Sequence, residues 1–184
     1  NTSRHYQHDE TNPGSISSNN VTELYMDADG RIWIASNEGL NIFNEIEQRF
    51  VRFDRENSEL PSDIITAIHQ SREGKYWVGT FVGLASGTTK LFPTIESLCG
   101  ELSSNSVNAF SQTEEGSIWV GTDDGLNRLR PGAETFEWIN ESTVPSISSP
   151  DVMSLNADGN ILWIGTFNGG LNRLNLETNE TEVF

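Results

Sequence analysis

Apolar residues fall in short runs, and the runs return at nearly even intervals: Ile32-Trp33-Ile34, Tyr76-Trp77-Val78, Ile118-Trp119-Val120 and Leu162-Trp163-Ile164. The four tryptophans stand 44, 42 and 44 residues apart. Each run follows a glycine turn and precedes Ala-Ser or Gly-Thr, and a second glycine, followed by leucine, comes six or seven residues after each tryptophan. Between these marks the pattern alternates rather than following a helical period. In the first unit Val21 to Asp27 alternates, Arg31 to Ser36 holds the tryptophan, Leu40 to Asn44 follows, and Arg49 to Phe53 closes the unit. Asp29-Gly30, Glu73-Gly74, Glu115-Gly116 and Asp158-Gly159 supply the turns into the tryptophan strands. Four short strands per unit, repeated at this period, predict an all-β chain folded as a β-propeller.

A polar hexapeptide opens each unit. Ser15-Ile16-Ser17-Ser18-Asn19-Asn20 recurs as Glu59 to Ile64, Glu101 to Ser106 and Ser146 to Asp151. The predicted organisation is a single propeller segment 1–184, with a blade tail over 1–14 and blades over 15–58, 59–100, 101–145 and 146–184. The flat tryptophan ring is expected to bury between neighbouring blades at four equivalent positions, with the small residue after it letting the backbones crowd. Two departures stand out. Pro93 falls in the outer strand of the second blade, which predicts a ragged outer half. The doubled Gly169-Gly170 and the shifted Asp158-Gly159 predict a bulge or altered loop in the fourth. Sheets need neighbours on both faces, so the four repeats are expected to belong to a larger ring or to be completed by oligomerisation.

Composition narrows the partners more than it changes the fold. Apolar residues make up 35% and charged residues 21%, which is globular rather than disordered. Eleven Lys and Arg against 27 Asp and Glu leave a formal charge of −16, which argues against nucleic acid or an anionic membrane surface. Cys99 is the single cysteine, so no intrachain disulfide forms, and an inert thiol is expected there. No nucleophile elbow, phosphate loop or dinucleotide fingerprint is present. Adjacent carboxylates such as Glu114-Glu115 and Asp123-Asp124 point apart in a strand or turn and make poor acid and base pairs. His5-x-x-His8 lacks further ligands at useful spacing, and Asp27-Ala28-Asp29-Gly30 reads as a hairpin turn rather than a calcium loop. No metal, no cofactor and no catalytic residue are expected.

With these residues in view, the chain resembles the two-component regulator propeller repeat. That pattern runs Leu-Ser-x-Asn-x-Val-x-x-Ile, then Asp-x-x-Gly-x-Ile-Trp-Ile-Gly-Thr-x-x-Gly-Leu, and it matches best over Leu102 to Leu129. The resemblance implies a seven-bladed ring and a place in the exported, periplasmic sensory part of bacterial hybrid sensor kinases or diguanylate-cyclase regulators. It implies ligand sensing rather than catalysis, with a membrane span and signalling domains elsewhere in the full-length protein. The Asp and Trp elements also look like the Asp-box hairpin of sialidase-like propellers, in which the acid ties the turn and is not catalytic.

Candidate ligand contacts follow from position. In a four-stranded blade the loop between second and third strands and the connection from outer strand to next inner strand open on one face. Asn37, Asp63, Phe81, Asn105, Asp123, Asp151, Phe167 and Asn168 are expected to gather there. Aromatic faces with amides and carboxylates suit a carbohydrate or another small polar ligand, and plain turn chemistry accounts for the Asn and Asp equally well. Two other readings stay open: a propeller hydrolase or lyase acting on glycans, and a scaffold for protein interaction. Exposed end blades make self-association the expected behaviour of the chain.

Overall fold

The computed structural model describes residues 3–88, the backbone of 96 and 97, and 102–184; the expectations for Pro93 and Cys99 lie outside the described residues. Sixteen strands and no helix appear among the described residues. The first blade is β1 (Val21–Met26), β2 (Ile32–Ser36), β3 (Gly39–Asn44) and β4 (Arg49–Phe53). The second is β5 (Ile65–Gln70), β6 (Lys75–Thr80), β7 (Gly83–Thr88) and β8 (Glu96–Ser97). The third is β9 (Val107–Gln112), β10 (Ile118–Thr122), β11 (Gly125–Leu129) and β12 (Glu137–Ile139). The fourth is β13 (Val152–Asp158), β14 (Ile161–Thr166), β15 (Gly170–Asn175) and β16 (Thr181–Val183). Each blade is an antiparallel sheet with its strands in chain order. The blades follow one another through their inner strands, β1 beside β5, β5 beside β9 and β9 beside β13, in an arc that does not close.

The tryptophan strand faces two ways, and this alternation builds the interfaces. Trp33 and Ala35 point into a cluster with Ile65, Ile68, Tyr76 and Val78 of the next blade. Trp77 meets Leu102, Val107, Ile118 and Val120, and Trp119 meets Val152, Leu162 and Ile164. Each ring buries about 200 Å², which at about 25 cal/mol per Å² stabilises an interface by on the order of 5 kcal/mol. The residue two places on must be small. A Cβ on Gly79 would lie 2.5 Å from Val107 Cγ1, and one on Gly121 would lie 2.6 Å from Val152 Cγ1. A valine of one blade thus seats in the glycine notch of the blade before it. Side chains reinforce the seam: Thr22 Oγ1 donates to the Ile65 carbonyl at 2.6 Å and Asn108 Nδ2 to that of Val152 at 3.1 Å.

One expectation of burial needs correction. Trp33, Trp77 and Trp119 are buried, but Trp163, at the equivalent register, is only half-buried, because no further blade packs over it among the described residues. On the opposite end the receiving face of the first blade is also bare. Val21, Leu24 and Ile32 are exposed, and residues 3–14 cover only part of that face, with Tyr6 packing edge-on against Phe43 and Phe50. The fourth blade departs as anticipated at its second turn, where Phe167, Asn168 and Gly169 bridge Thr166 and Gly170 in place of two residues elsewhere. Its inner hairpin also differs from expectation: Asp158 ends β13, and Gly159-Asn160 make the turn. The register irregularity of its inner strand pair is not peculiar to this blade, since all four have one.

The Asp27 carboxylate ties a blade seam. Its Oδ1 accepts from the backbone N–H of Asp29 (3.0 Å) and Arg31 (2.8 Å), fixing the hairpin. Its Oδ2 accepts from Trp33 Nε1 (2.8 Å), Arg31 Nε (2.7 Å) and, across the seam, Tyr76 OH (2.7 Å). Burial alone would push this carboxyl up, but the donors from Trp33, Tyr76 and Arg31 outweigh it and hold the pKa at about 2. The acid is structural.

Candidate ligand-binding rim

The second turn of each blade is locked from inside. The hydroxyls of Ser36, Thr80, Thr122 and Thr166 donate to the carbonyls of Gly39 (2.7 Å), Gly83 (2.7 Å), Gly125 (2.9 Å) and Gly170 (3.0 Å). Those glycines have φ of 116°, 154°, 127° and 80°, so the turn closes at little cost only without a side chain. A Cβ on Gly39 would also meet the Phe53 carbonyl oxygen at 2.5 Å.

The first residue of each turn then reaches the connection that enters the inner strand. Backbone N–H groups of Asn37, Phe81, Asp123 and Phe167 donate to the carbonyls of Asn20 (3.2 Å), Ile64 (3.2 Å), Ser106 (3.3 Å) and Asp151 (2.8 Å). Neighbouring blades are joined at the same level, with Gly39 N–H donating to the Asp63 carbonyl and Gly125 N–H to that of Pro150, both at 2.7 Å. Turns and connections therefore share one end of the arc.

Beneath the connections lies a clasp that sequence reasoning overlooked. Ser103 N–H donates to Asn127 Oδ1 (2.8 Å), and Asn127 Nδ2 returns a bond to Ser103 Oγ (2.9 Å) and another to the Val120 carbonyl (3.2 Å). Ser17 with Asn41, and Ser148 with Asn172, repeat it. In the second blade Pro61 and Ala85 occupy the two positions and neither bond exists. The readable signal was the recurrence of Gly-Leu-Asn in three blades and Gly-Leu-Ala in the one blade with proline at the third position of its opening hexapeptide.

The eight candidate residues all occupy this rim, and two of them share a cleft. Asn37 and Asp63 line a depression of about 490 Å³ between the first two blades, together with Glu38, Asp54, Arg55 and Val82. Asp63 is engaged there: its Oδ2 accepts from Arg55 Nε at 3.0 Å and its Oδ1 from Arg55 N–H at 2.8 Å. Arg55, which sequence reasoning did not single out, is the only cation among the lining residues. Phe81 and Phe167 present open ring faces, each 58% exposed, on the second and fourth blades. Asn105, Asp123 and Asn168 are exposed and Asp151 half-exposed on the rim of the third and fourth blades; none of them lines the first cleft. The rim thus offers amide, carboxylate, guanidinium and aromatic groups at a surface that stays wet, which suits hydroxyl-rich recognition.

Three of the four repeats, at residues 15–38, 59–81 and 101–124, match the family model of the two component regulator propeller. No curated protein matches the chain in sequence. Among solved structures, the extracellular domain of a hybrid two component system from B. thetaiotaomicron superposes with a TM-score of 0.78 at 24% identity, covering 98% of this chain and 26% of that one. A second such domain from B. thetaiotaomicron gives 0.60 at 18% identity, with 92% and 30% covered. Virginiamycin B lyase from Staphylococcus aureus gives 0.69 at 13% identity, with 90% and 55% covered. These likenesses establish the propeller fold. The chain spans about a quarter to a third of the length of the two extracellular domains.

Proposed function

We propose that this chain, which belongs to the two component regulator propeller repeat family, is a non-catalytic ligand-sensing segment of an extracytoplasmic bacterial receptor. The recurring rim carries the reading: four blades bring their turns and connections to one end, held by the same backbone bonds, and display Asn37, Asp63, Phe81, Asn105, Asp123, Asp151, Phe167 and Asn168 there. The ligand class is a carbohydrate or another small polar molecule, stacked on the phenylalanine faces and hydrogen-bonded by amides and carboxylates. Its effect is indirect. A ligand that prefers one arrangement of blades over another shifts the population toward it, and domains outside this chain read the shift. The resemblance to extracellular domains of two component systems supports a periplasmic location and signalling domains elsewhere.

The test is thermal unfolding of the chain against a panel of oligosaccharides and polar metabolites. A ligand present at 100 times its Kd stabilises by about 2.7 kcal/mol, enough for a clear rise in Tm. Replacing Phe81, Asp123 and Phe167 together by alanine abolishes that rise and leaves the unliganded Tm within a few degrees. A ligand that stabilises the triple variant as well as the parent places binding elsewhere.

The lyase neighbour motivates one rival reading, a propeller enzyme acting on glycans. Turnover of any oligosaccharide by the purified chain, lost on mutation of rim carboxylates, would establish that reading and end the sensory one.

A further inference from the structure

The first and second blades use the same backbone turn ahead of the tryptophan strand and fill it differently. In the first blade Asp27 N–H donates to the Arg31 carbonyl and Gly30 N–H to the Asp27 carbonyl; in the second, Ser71 to Lys75 and Gly74 to Ser71 repeat both bonds. Ser71 therefore stands where Asp27 stands, Lys75 where Arg31 stands, and Trp77 where Trp33 stands. The Asp27 carboxylate holds the Trp33 indole N–H and the Arg31 guanidinium. The second blade keeps the indole and the cation and lacks the carboxylate.

Both partners are left without one. Trp77 is 3% exposed, and its Nε1 has no hydrogen-bond partner. Lys75 Nζ lies 4.6 Å over the Trp77 ring, and among the described residues no carboxylate comes within ion-pair distance of it. Both line a cleft of about 290 Å³ between the second and third blades, on the end opposite the rim, whose other wall is Ile118, Leu129, Pro131 and Ala133. The Trp119 N–H of the third blade is also unpartnered, but the Arg128 guanidinium beside it is already bound to Glu115 at 2.6 Å. Among the described residues, only the Trp77 cleft pairs an unmet donor with a cation outside any ion pair.

We propose that this cleft binds a small monocarboxylate with an apolar body, its oxygens taking the place that the Asp27 side chain occupies one blade earlier. One oxygen accepts from Trp77 Nε1, the other meets the Lys75 ammonium, and the hydrocarbon lies against Ile118, Leu129 and Pro131. The long lysine side chain is the movable part that leads the anion in and opens the way to the indole. A buried N–H without an acceptor is destabilising, so an oxygen that reaches it recovers energy the folded chain lacks when empty. Glu73 lines the same cleft, where the Ser71 hydroxyl and its own backbone N–H hold it below the usual carboxylate range and Gln112 Nε2 donates to its Oε2 at 3.4 Å. The site is independent of the rim.

Indole N–H resonances of the ¹⁵N-labelled chain provide the test, with sodium benzoate and sodium hexanoate as probes and benzyl alcohol as uncharged control. The Trp77 signal, assigned by its loss in Trp77→Phe, moves downfield saturably with either carboxylate and stays in place with the alcohol. Lys75→Met weakens the response at least tenfold. Ser71→Asp supplies the carboxylate internally, so its Trp77 signal starts near the position of Trp33 and no longer responds. No saturable shift in the parent overturns the proposal, as does a response that survives Lys75→Met, a change at a half-buried position that keeps the apolar stem. A response unchanged in folded Ser71→Asp overturns it too.

Discussion

Asn127 and Ser103 grip each other twice, side-chain oxygen to backbone N–H and side-chain N–H to hydroxyl, and the corresponding pair in the second blade is Ala85 and Pro61, which can form neither bond. Proline has no N–H to offer, and the asparagine that would receive it is absent as well. The two positions therefore behave as one unit. Asn127→Ala leaves the Ser103 N–H without its partner and should cost about 1–3 kcal/mol. Ala85→Asn should also destabilise, because a buried amide arrives opposite a proline. Adding Pro61→Ser to Ala85→Asn should recover about 1 kcal/mol or more beyond additivity, measured as a double-mutant cycle by urea unfolding. Additive effects would mean that the clasp carries no energy of its own.

The Asp27 knot makes a pH prediction of definite sign. Its folded pKa is about 2 against an ordinary value of 3.8, so the carboxylate stabilises the fold fully above pH 3.8 and loses that contribution as pH falls toward about 2. The side chain has no exposed surface, and the difference corresponds to about 2 kcal/mol. Asp27→Asn should lower stability near neutral pH and flatten the acid limb of the stability curve between pH 4 and 2. An unchanged acid limb would assign the acid sensitivity to other carboxylates.

His69 acts at a higher pH. It sits between Tyr25 and Phe110 with its Nε2 unpartnered, and burial pushes its pKa below 6.5. The unfolded chain then binds a proton first, so stability is complete above pH 6.5 and falls as pH drops through that value toward the folded pKa. His69→Phe should keep the aromatic packing and remove this part of the pH dependence, leaving the Asp27 limb unchanged. Thermal melts of both variants from pH 8 to pH 2 separate the two groups.

Much of this architecture was legible because tryptophan spacing and turn glycines report directly on register. A buried ring, a glycine notch and a positive-φ turn each admit few residues, so they recur visibly at positions 33, 77, 119 and 163 and at positions 39, 83, 125 and 170. The half-exposure of Trp163 was not legible, since burial depends on a neighbouring blade and no residue in the fourth blade encodes its presence. The rim was legible in position and not in grouping. Asn37 and Asp63 meet in a cleft because Arg55 draws Asp63 toward it, and one arginine after an outer strand has no periodic signature. The Trp77 cleft was hidden for another reason. A serine in place of an aspartate looks like ordinary turn variation until the indole above it is found without an acceptor.

The bare ends of the arc carry the last prediction, that the chain associates with itself head to tail. The fourth blade presents Trp163 and, two residues on, Gly165; the first presents Val21, Leu24 and Ile32. Within the chain the same pairing occurs where Gly79 receives Val107 beside Trp77, and where Gly121 receives Val152 beside Trp119. Val21 is 47% exposed although Val107 and Val152 at its position are fully buried, so docking the fourth blade of one copy on the first blade of another repeats a seam already used inside the chain. The contact is heterologous, which yields rings or open chains rather than a two-fold dimer. We therefore expect light scattering to show a mass that rises with concentration, and Trp163→Arg or Val21→Asp to return the chain to a single mass. In those monomeric variants the fold should persist, since Trp163 contributes little without a neighbour, whereas Trp119→Ala should cost about 3–5 kcal/mol. A single mass for the parent across a hundredfold concentration range would show that these faces do not recognise each other.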